Sequence, residues 1–178
     1  MTGFLRFFGL LNIAIWLGGS VFFTFGAGTA AFSPDMKALL GNNNYPYFSG
    51  AIAQIFVHRY FHLQLICASI ALLHLIVERL YLGKAVPQTW LGLLLVLFFL
   101  SLLGTYWLQP KMRLLHATKY SPSQPPAARQ AADQSFRAWH AASQISNLLM
   151  IGVLGAYFWH LANPADPTRF LTAGKFRG

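Results

Sequence analysis

FVHRYFHLQLICA, residues 56–68, carries His58, Arg59 and His62 into the start of a long apolar run, LQLICASIALLHLIV, with no turn residue between them. A charged approach that becomes apolar without interruption reads as one helix crossing from headgroups into a bilayer. The other helices are then organised around a polar collar at this level.

Composition agrees. The 178 residues are 56% hydrophobic, 16% aromatic and only 10% charged, where soluble domains carry about 25% charge. The formal charge of +9 is spread over loops and helix ends instead of forming a basic run. That pattern fits anchoring to anionic headgroups and argues against nucleic acid as a partner. The single cysteine, Cys67, lies in an apolar run, so neither an intrachain disulfide nor a CxxC metal site is available.

Working outward, four segments are apolar enough to span: residues 4–31, 49–82, 89–109 and 127–162. The first has a rival as a signal peptide, with Arg6 before the apolar core and GAGTA as a cleavage-like end. Its apolar core is too long for one and contains Asn12 and Trp16, so it reads as a retained helix. Ser33-Pro34-Asp35 starts a short helix that Gly41 and Asn42-Asn43-Asn44 end, and Pro46 marks a loop. Gly83 and Pro87 close the second helix, Pro110 the third, and SPSQPP (121–126) links to the fourth. The expected fold is an all-α integral membrane protein, a four-helix up-down bundle with a short capping helix between helices 1 and 2. It occupies residues 1–163, and 164–178 form a polar basic tail. The expected location is multi-pass in the cell membrane, the inner membrane in a bacterium, with the lipid bilayer and other membrane subunits as partners. Basic residues divide almost evenly between the two faces, and their concentration around the helix 3–4 connection leans that face towards the cytoplasm.

The connectivity places His62 and His140 at nearly one depth, with Arg59 and Gln64, Tyr106 and Gln109, and Gln144. His140, Gln144 and Asn147 stand at i, i+4, i+7, one face of a helix, which should turn inward because polar groups facing lipid are costly. Asn12 and Trp16, at i and i+4, would line the same interior more deeply. Interhelical hydrogen bonds are also ordinary packing glue, averaging about 0.6 kcal/mol each. Elsewhere, His74 and Glu78 are spaced to pair, His160 sits in an interfacial belt, and His116 lies solvated on a basic tail. Gly18-Gly19 and Gly152 with Gly155 would allow close helix approach.

The leading function is ligand, metal or partner binding at the His-containing collar, without catalysis; His62 and His140 would be the metal ligands if a metal binds. The alternatives are a haem b electron carrier, with those two histidines as axial ligands, and an accessory subunit of a larger membrane complex.

The motifs IAIWLGGSVFF, RYFHLQLICA, GTYWLQPKM and FRAWHAASQISNL resemble the transmembrane-protein-205-like family, a four-span group classed as a domain of unknown function. The resemblance covers all four helices in order. It implies that Tyr60-Phe61-His62 and His140 stand at the family's histidine positions, and it implies a role in metal handling or trafficking. Gln109 departs from the Glu usual in that family before the proline, which removes a carboxylate from the collar.

Overall fold

The computed structural model describes residues 2–83 and 88–163. The turn around Pro87 and the basic tail lie outside the described residues. Among those described, every regular element is helical. Four helices result: α1 (Gly3–Ala30), α2 (Pro34–Leu82), α3 (Gln88–Tyr120) and α4 (Pro126–Ala162). Each is long and apolar enough to cross a membrane.

Local chemistry sets most of the ends. Ser33 is extended and its hydroxyl accepts from the Met36 amide at 3.2 Å, with Pro34 at the first helical position and Asp35 in the first turn. Gly41 takes φ 71°, a conformation only glycine adopts without strain, and bends α2 into a short arm (34–40) and a long arm (42–82). Gly83 ends α2 at φ 61°.

Two expectations change here. The loop anticipated at Pro46 is helical, and the long arm starts immediately after Gly41 instead of near Ser49. Pro46 is tolerated because it sits close to a helix start, where few intrahelical bonds exist to lose. None of residues 32–44 is buried, so the short arm is not packed into the bundle as a lid.

The third helix likewise runs through Pro110 to Tyr120 instead of stopping at Gln109. A π turn over Gly104–Leu108 precedes the proline, and the Gln109 amide bonds to the Gly104 carbonyl, five residues back. The widened turn relieves the clash that a proline ring meets in regular α-helix. A second π turn, Phe23–Ala27, interrupts α1.

Neighbouring helices pair in antiparallel fashion. Between α1 and α2, Asn12 meets Cys67, and further along Phe23 stacks on Tyr60. Between α2 and α3, Phe61 lies against Gly104, and Gly50 against His116. Arg6 donates to the Ala162 carbonyl, joining α1 to the C-terminus of α4 at 2.8 Å, a favourable place for a cation. The end with Arg6 and Ala162 is called the A end below; the end with Ser33 and Tyr120 is the B end. The core is built on Trp16, Ile13, Leu94 and Leu154. Cys67 is buried within the same cluster.

Of the glycines singled out from sequence, Gly19 permits a close approach and the other three do not. A Cβ on Gly18, Gly152 or Gly155 would meet nothing within 4 Å, although one on Gly19 would lie 3.0 Å from Leu63. The tight positions are Gly9 against the His74 ring, Gly50 against His116 and Gly104 against Phe61.

Candidate functional site

Three polar groupings occupy different levels of the helices. The first is internal, towards the B end. The Tyr60 hydroxyl donates to Asn147 Oδ1, Asn147 Nδ2 donates to Thr24 Oγ1 at 2.6 Å, and Thr24 donates to the Ser20 carbonyl at 2.7 Å. Ser20 donates its own hydroxyl to the Trp16 carbonyl at 2.8 Å. One side chain from each of α1, α2 and α4 is thus joined in a closed chain. Phe23 covers it, its ring 4.0 Å from that of Tyr60 and nearly parallel. Both π turns flank this level: Phe23 belongs to one, and Gly104, which admits Phe61, to the other.

The second grouping is the collar, and the structure divides it between the outside and the interior. Arg59, Gln144 and His58 are exposed, and Tyr106 is 68% exposed. His62 Nδ1 bonds to the His58 carbonyl at 2.8 Å, and the two imidazoles meet edge to face. His140 stacks on Phe136. Among the described residues no interaction joins His62 to His140; the structure brings Tyr60 and Asn147 together instead. Asn147 therefore turns inward, whereas Gln144 of the same expected stripe does not. Asn12 and Trp16 do lie inside: Asn12 Nδ2 donates to the Cys67 carbonyl at 2.9 Å, and Trp16 is fully buried with its indole N–H unpartnered. Gln64 and Gln109 are buried. At collar level the Lys111 ammonium lies 4.8 Å from the Trp107 ring and 4.4 Å from that of Trp139, and the two indoles meet edge to face at 5.0 Å. Such contacts add about 0.5–1 kcal/mol at exposed sites. No group of three or more His, Cys, Asp or Glu suited to a metal occurs among the described residues. Neither the metal reading nor the haem reading gains an observation from this arrangement.

Beyond the collar, α3 continues as the basic stretch KMRLLHATKY. At 1.5 Å per residue α3 is about 50 Å long, longer than the about 30 Å of hydrocarbon that a bilayer span would cross. His116 is buried there, not solvated, against Gly50 and between Tyr47, Tyr120 and Phe136. Burial holds its imidazole below the usual pKa, and Lys119 adds to this. Lys119, 2.6 Å from Asp133, holds that carboxyl below its ordinary range, with Arg137 contributing at 2.8 Å.

The third grouping is at the A end. His74 Nε2 donates to the Leu5 carbonyl at 2.9 Å, an approach that Gly9 makes possible. His74 Nδ1 stands 4.0 Å from Glu78 Oε2. The Tyr157 hydroxyl is buried in the electrostatic field of Glu78 without a hydrogen-bond partner. Trp90 covers Tyr157 at 5.3 Å and stacks on His160 at 4.8 Å.

Sequence reasoning missed Tyr60, Ser20 and Thr24 as interior residues. A signal was present: Asn12, Trp16, Ser20 and Thr24 repeat at four-residue spacing on one helix face.

A family model described as a domain of unknown function (DUF4149) matches residues 11–121. The match holds Ser20, Thr24, Tyr60, His74, Glu78 and Lys111, while Trp139, Asn147 and Tyr157 lie beyond it. No curated protein and no solved structure matches the chain.

Proposed function

The chain belongs to the DUF4149 family, defined by a domain of unknown function, and from that premise we propose a multi-pass membrane protein that binds anionic lipid headgroups through its B-end collar. The observation that carries this is the Lys111 ammonium held between Trp107 and Trp139, with Arg59, Arg113 and Arg137 exposed at the same end. Indoles prefer the membrane interface, and each cation near an anionic surface contributes about 1 kcal/mol of attraction. The antiparallel pairings support an up-down bundle in the bilayer. Within the family we place the chain among the transmembrane-protein-205-like members, supported by RYFHLQLICA, GTYWLQPKM and FRAWHAASQISNL. The role is binding, not catalysis.

The test compares thermal stability of the purified protein in nanodiscs of phosphatidylglycerol and of phosphatidylcholine. Phosphatidylglycerol should raise the midpoint, high salt should reduce the gain, and Lys111→Gln with Arg59→Gln should remove most of it. Equal midpoints in the two lipids would defeat the reading.

A second reading, the accessory subunit, has its own support. α4 exposes Gln144, Gly152 and Ala156 along one face, with Leu148 among them, and small and polar groups of this kind pack between membrane helices. Beside that helix runs an apolar groove of about 220 Å³ lined by Leu93, Leu97, Leu100, Met150 and Val153. Native mass spectrometry from mild detergent would reveal a co-purifying membrane chain that Gln144→Leu releases.

A further inference from the structure

Aromatic contacts join α3 to α4 at both ends. At the A end Trp90 packs on Tyr157 and stacks on His160; at the B end the rings of Trp107 and Trp139 meet edge to face. Between these contacts lies the apolar groove of about 220 Å³. Leu97 and Met150, both buried, form its floor, and the exposed Val96, Leu149 and Ser146 stand at its mouth. A cavity of about 150 Å³ holds a benzene ring, so the groove has room for a run of methylenes. α4, continuous from Pro126 to Ala162, carries the groove on to the collar. Counted from Trp139 at 3.6 residues per turn, Ala142, Ser143, Ser146, Met150 and Val153 all fall within about 60° of one line. Ala142 and Ser143, which stand between the indole and the groove on that face, are small and keep the trough open. Trp139 in turn lies 4.4 Å from the Lys111 ammonium. Indole faces attract a cation through their quadrupoles but carry no net charge to balance it. Among the described residues no carboxylate pairs with Lys111; Asp133 is engaged by Lys119 and Arg137.

We propose that the α3–α4 groove is a site for one anionic phospholipid, with its phosphate on Lys111 beside the two indoles and one acyl chain lying along the groove to Val153. The inference rests on the collar reading above and gives it a single defined place: a collar alone attracts any anionic surface, whereas a groove that takes a chain holds one molecule. The depths agree. At 1.5 Å per residue Ser146 lies about 10 Å and Val153 about 21 Å along α4 from Trp139. One leaflet with its headgroups is about 20–22 Å thick. The phosphodiester supplies the charge that Lys111 lacks and the oxygens that its N–H groups can reach. A helix of another chain, about 10–12 Å across, would lie over the groove without filling it and would bring Lys111 no counter-charge.

The test uses the full chain in mild detergent, incubated with an equimolar mixture of phosphatidylglycerol and phosphatidylcholine and analysed by native mass spectrometry. One phosphatidylglycerol per chain should be retained in preference to phosphatidylcholine. Lysophosphatidylglycerol, which has one chain, should compete for the place; glycerol 3-phosphate, which has none, should not. Ser146→Phe, which fills the exposed mouth of the groove, should remove the retained lipid, and Ser146→Ala should keep it. Lys111→Gln should lower the preference for phosphatidylglycerol about fivefold, the worth of one cation at an anionic surface. The gain in thermal midpoint of the unaltered chain in phosphatidylglycerol nanodiscs reads the collar separately. That gain with no lipid retained, or with retention undiminished in Ser146→Phe, overturns the groove and leaves the collar standing. No gain overturns both. Equal retention of the two lipids, a preference unchanged in Lys111→Gln, or a co-purifying membrane chain that Ser146→Phe releases also overturns the proposal. Should Ser146→Phe fail to fold, Val96→Phe, at the α3 side of the same mouth, decides in its place.

Discussion

The two interior polar clusters of this protein are built from similar side chains and end in opposite states. Towards the B end, Tyr60, Asn147 and Thr24 donate in turn along a chain that ends on the Ser20 carbonyl, so each of the three has a partner. At the A end, Tyr157 is as deeply buried as any tyrosine in the molecule, and its hydroxyl has no partner, nor has His74 Nδ1. Polarity and burial alone therefore do not tell whether a polar group is matched; its hydrogen-bond partners do. The closed cluster locks α1, α2 and α4 together between two π turns.

The largest expected effect comes from breaking the closed cluster at its middle. Asn147→Leu leaves the Tyr60 hydroxyl and Thr24 without their shared partner and should cost about 1–3 kcal/mol, read as a lowered midpoint in detergent. A loss below a few tenths would mean that the network contributes no more than ordinary packing. Next comes the shape that admits the cluster. Gly104→Ala drives a methyl into the Phe61 ring beside Tyr60 and should destabilise by about 1–3 kcal/mol. Gly152→Ala meets open space and should be neutral or gain up to about 1 kcal/mol from helix propensity. Equal effects from the two alanines would argue against the close approach at Gly104.

The sharpest contrast is one substitution made twice. Tyr60→Phe removes a hydroxyl that is bonded and should cost about 0.6 to 1.7 kcal/mol. Tyr157→Phe removes one that is not, and it should leave the midpoint unchanged or raise it. Equivalent losses at both positions would erase the distinction between the clusters.

A smaller effect belongs to the B end. Burial lowers the folded-state pKa of His116, so the unfolded chain binds its proton more readily. The stability that the neutral ring contributes is full above the ordinary value of about 6.5 and is lost as pH falls below it towards the folded value. The midpoint should therefore drop between pH 7.5 and 5, and less so in His116→Gln. Smallest of all is the coupling between His62 and His140. With His62 bonded to the His58 carbonyl and His140 stacked on Phe136, the double change to Ala should equal the sum of the single changes within about 0.5 kcal/mol. A coupling above 1 kcal/mol would restore a shared ligand.

Much of this architecture is legible from local chemistry. Segment length and apolarity mark four helices, because a span of about 20 apolar residues is a property of consecutive positions. Ser33-Pro34-Asp35, Gly41 and Gly83 act on their immediate neighbours, so their caps and breaks can be read in place. The pairing of His74 with Glu78 is likewise a matter of helical spacing. Pro110 defeats that kind of reading: the proline stops a regular helix, and only the π turn before it, widened where Gly104 admits Phe61, carries α3 onward.

The polar residues show where local information ends. Tyr60 finds Asn147 across 87 positions, and Asn147 finds Thr24 across 123. The repeat Asn12, Trp16, Ser20, Thr24 announces a polar face without naming what will meet it. His62 and Tyr60 stand two residues apart on one helix, and a rotation of about 200° separates an imidazole on the outer surface from a phenol in the interior. By itself the sequence determined that there are four helices apolar enough to cross a membrane, and the ends that Ser33, Gly41 and Gly83 set. Tertiary structure alone decided which polar groups are matched, because a hydrogen bond between helices depends on their rotation and depth relative to each other, quantities that no single segment encodes.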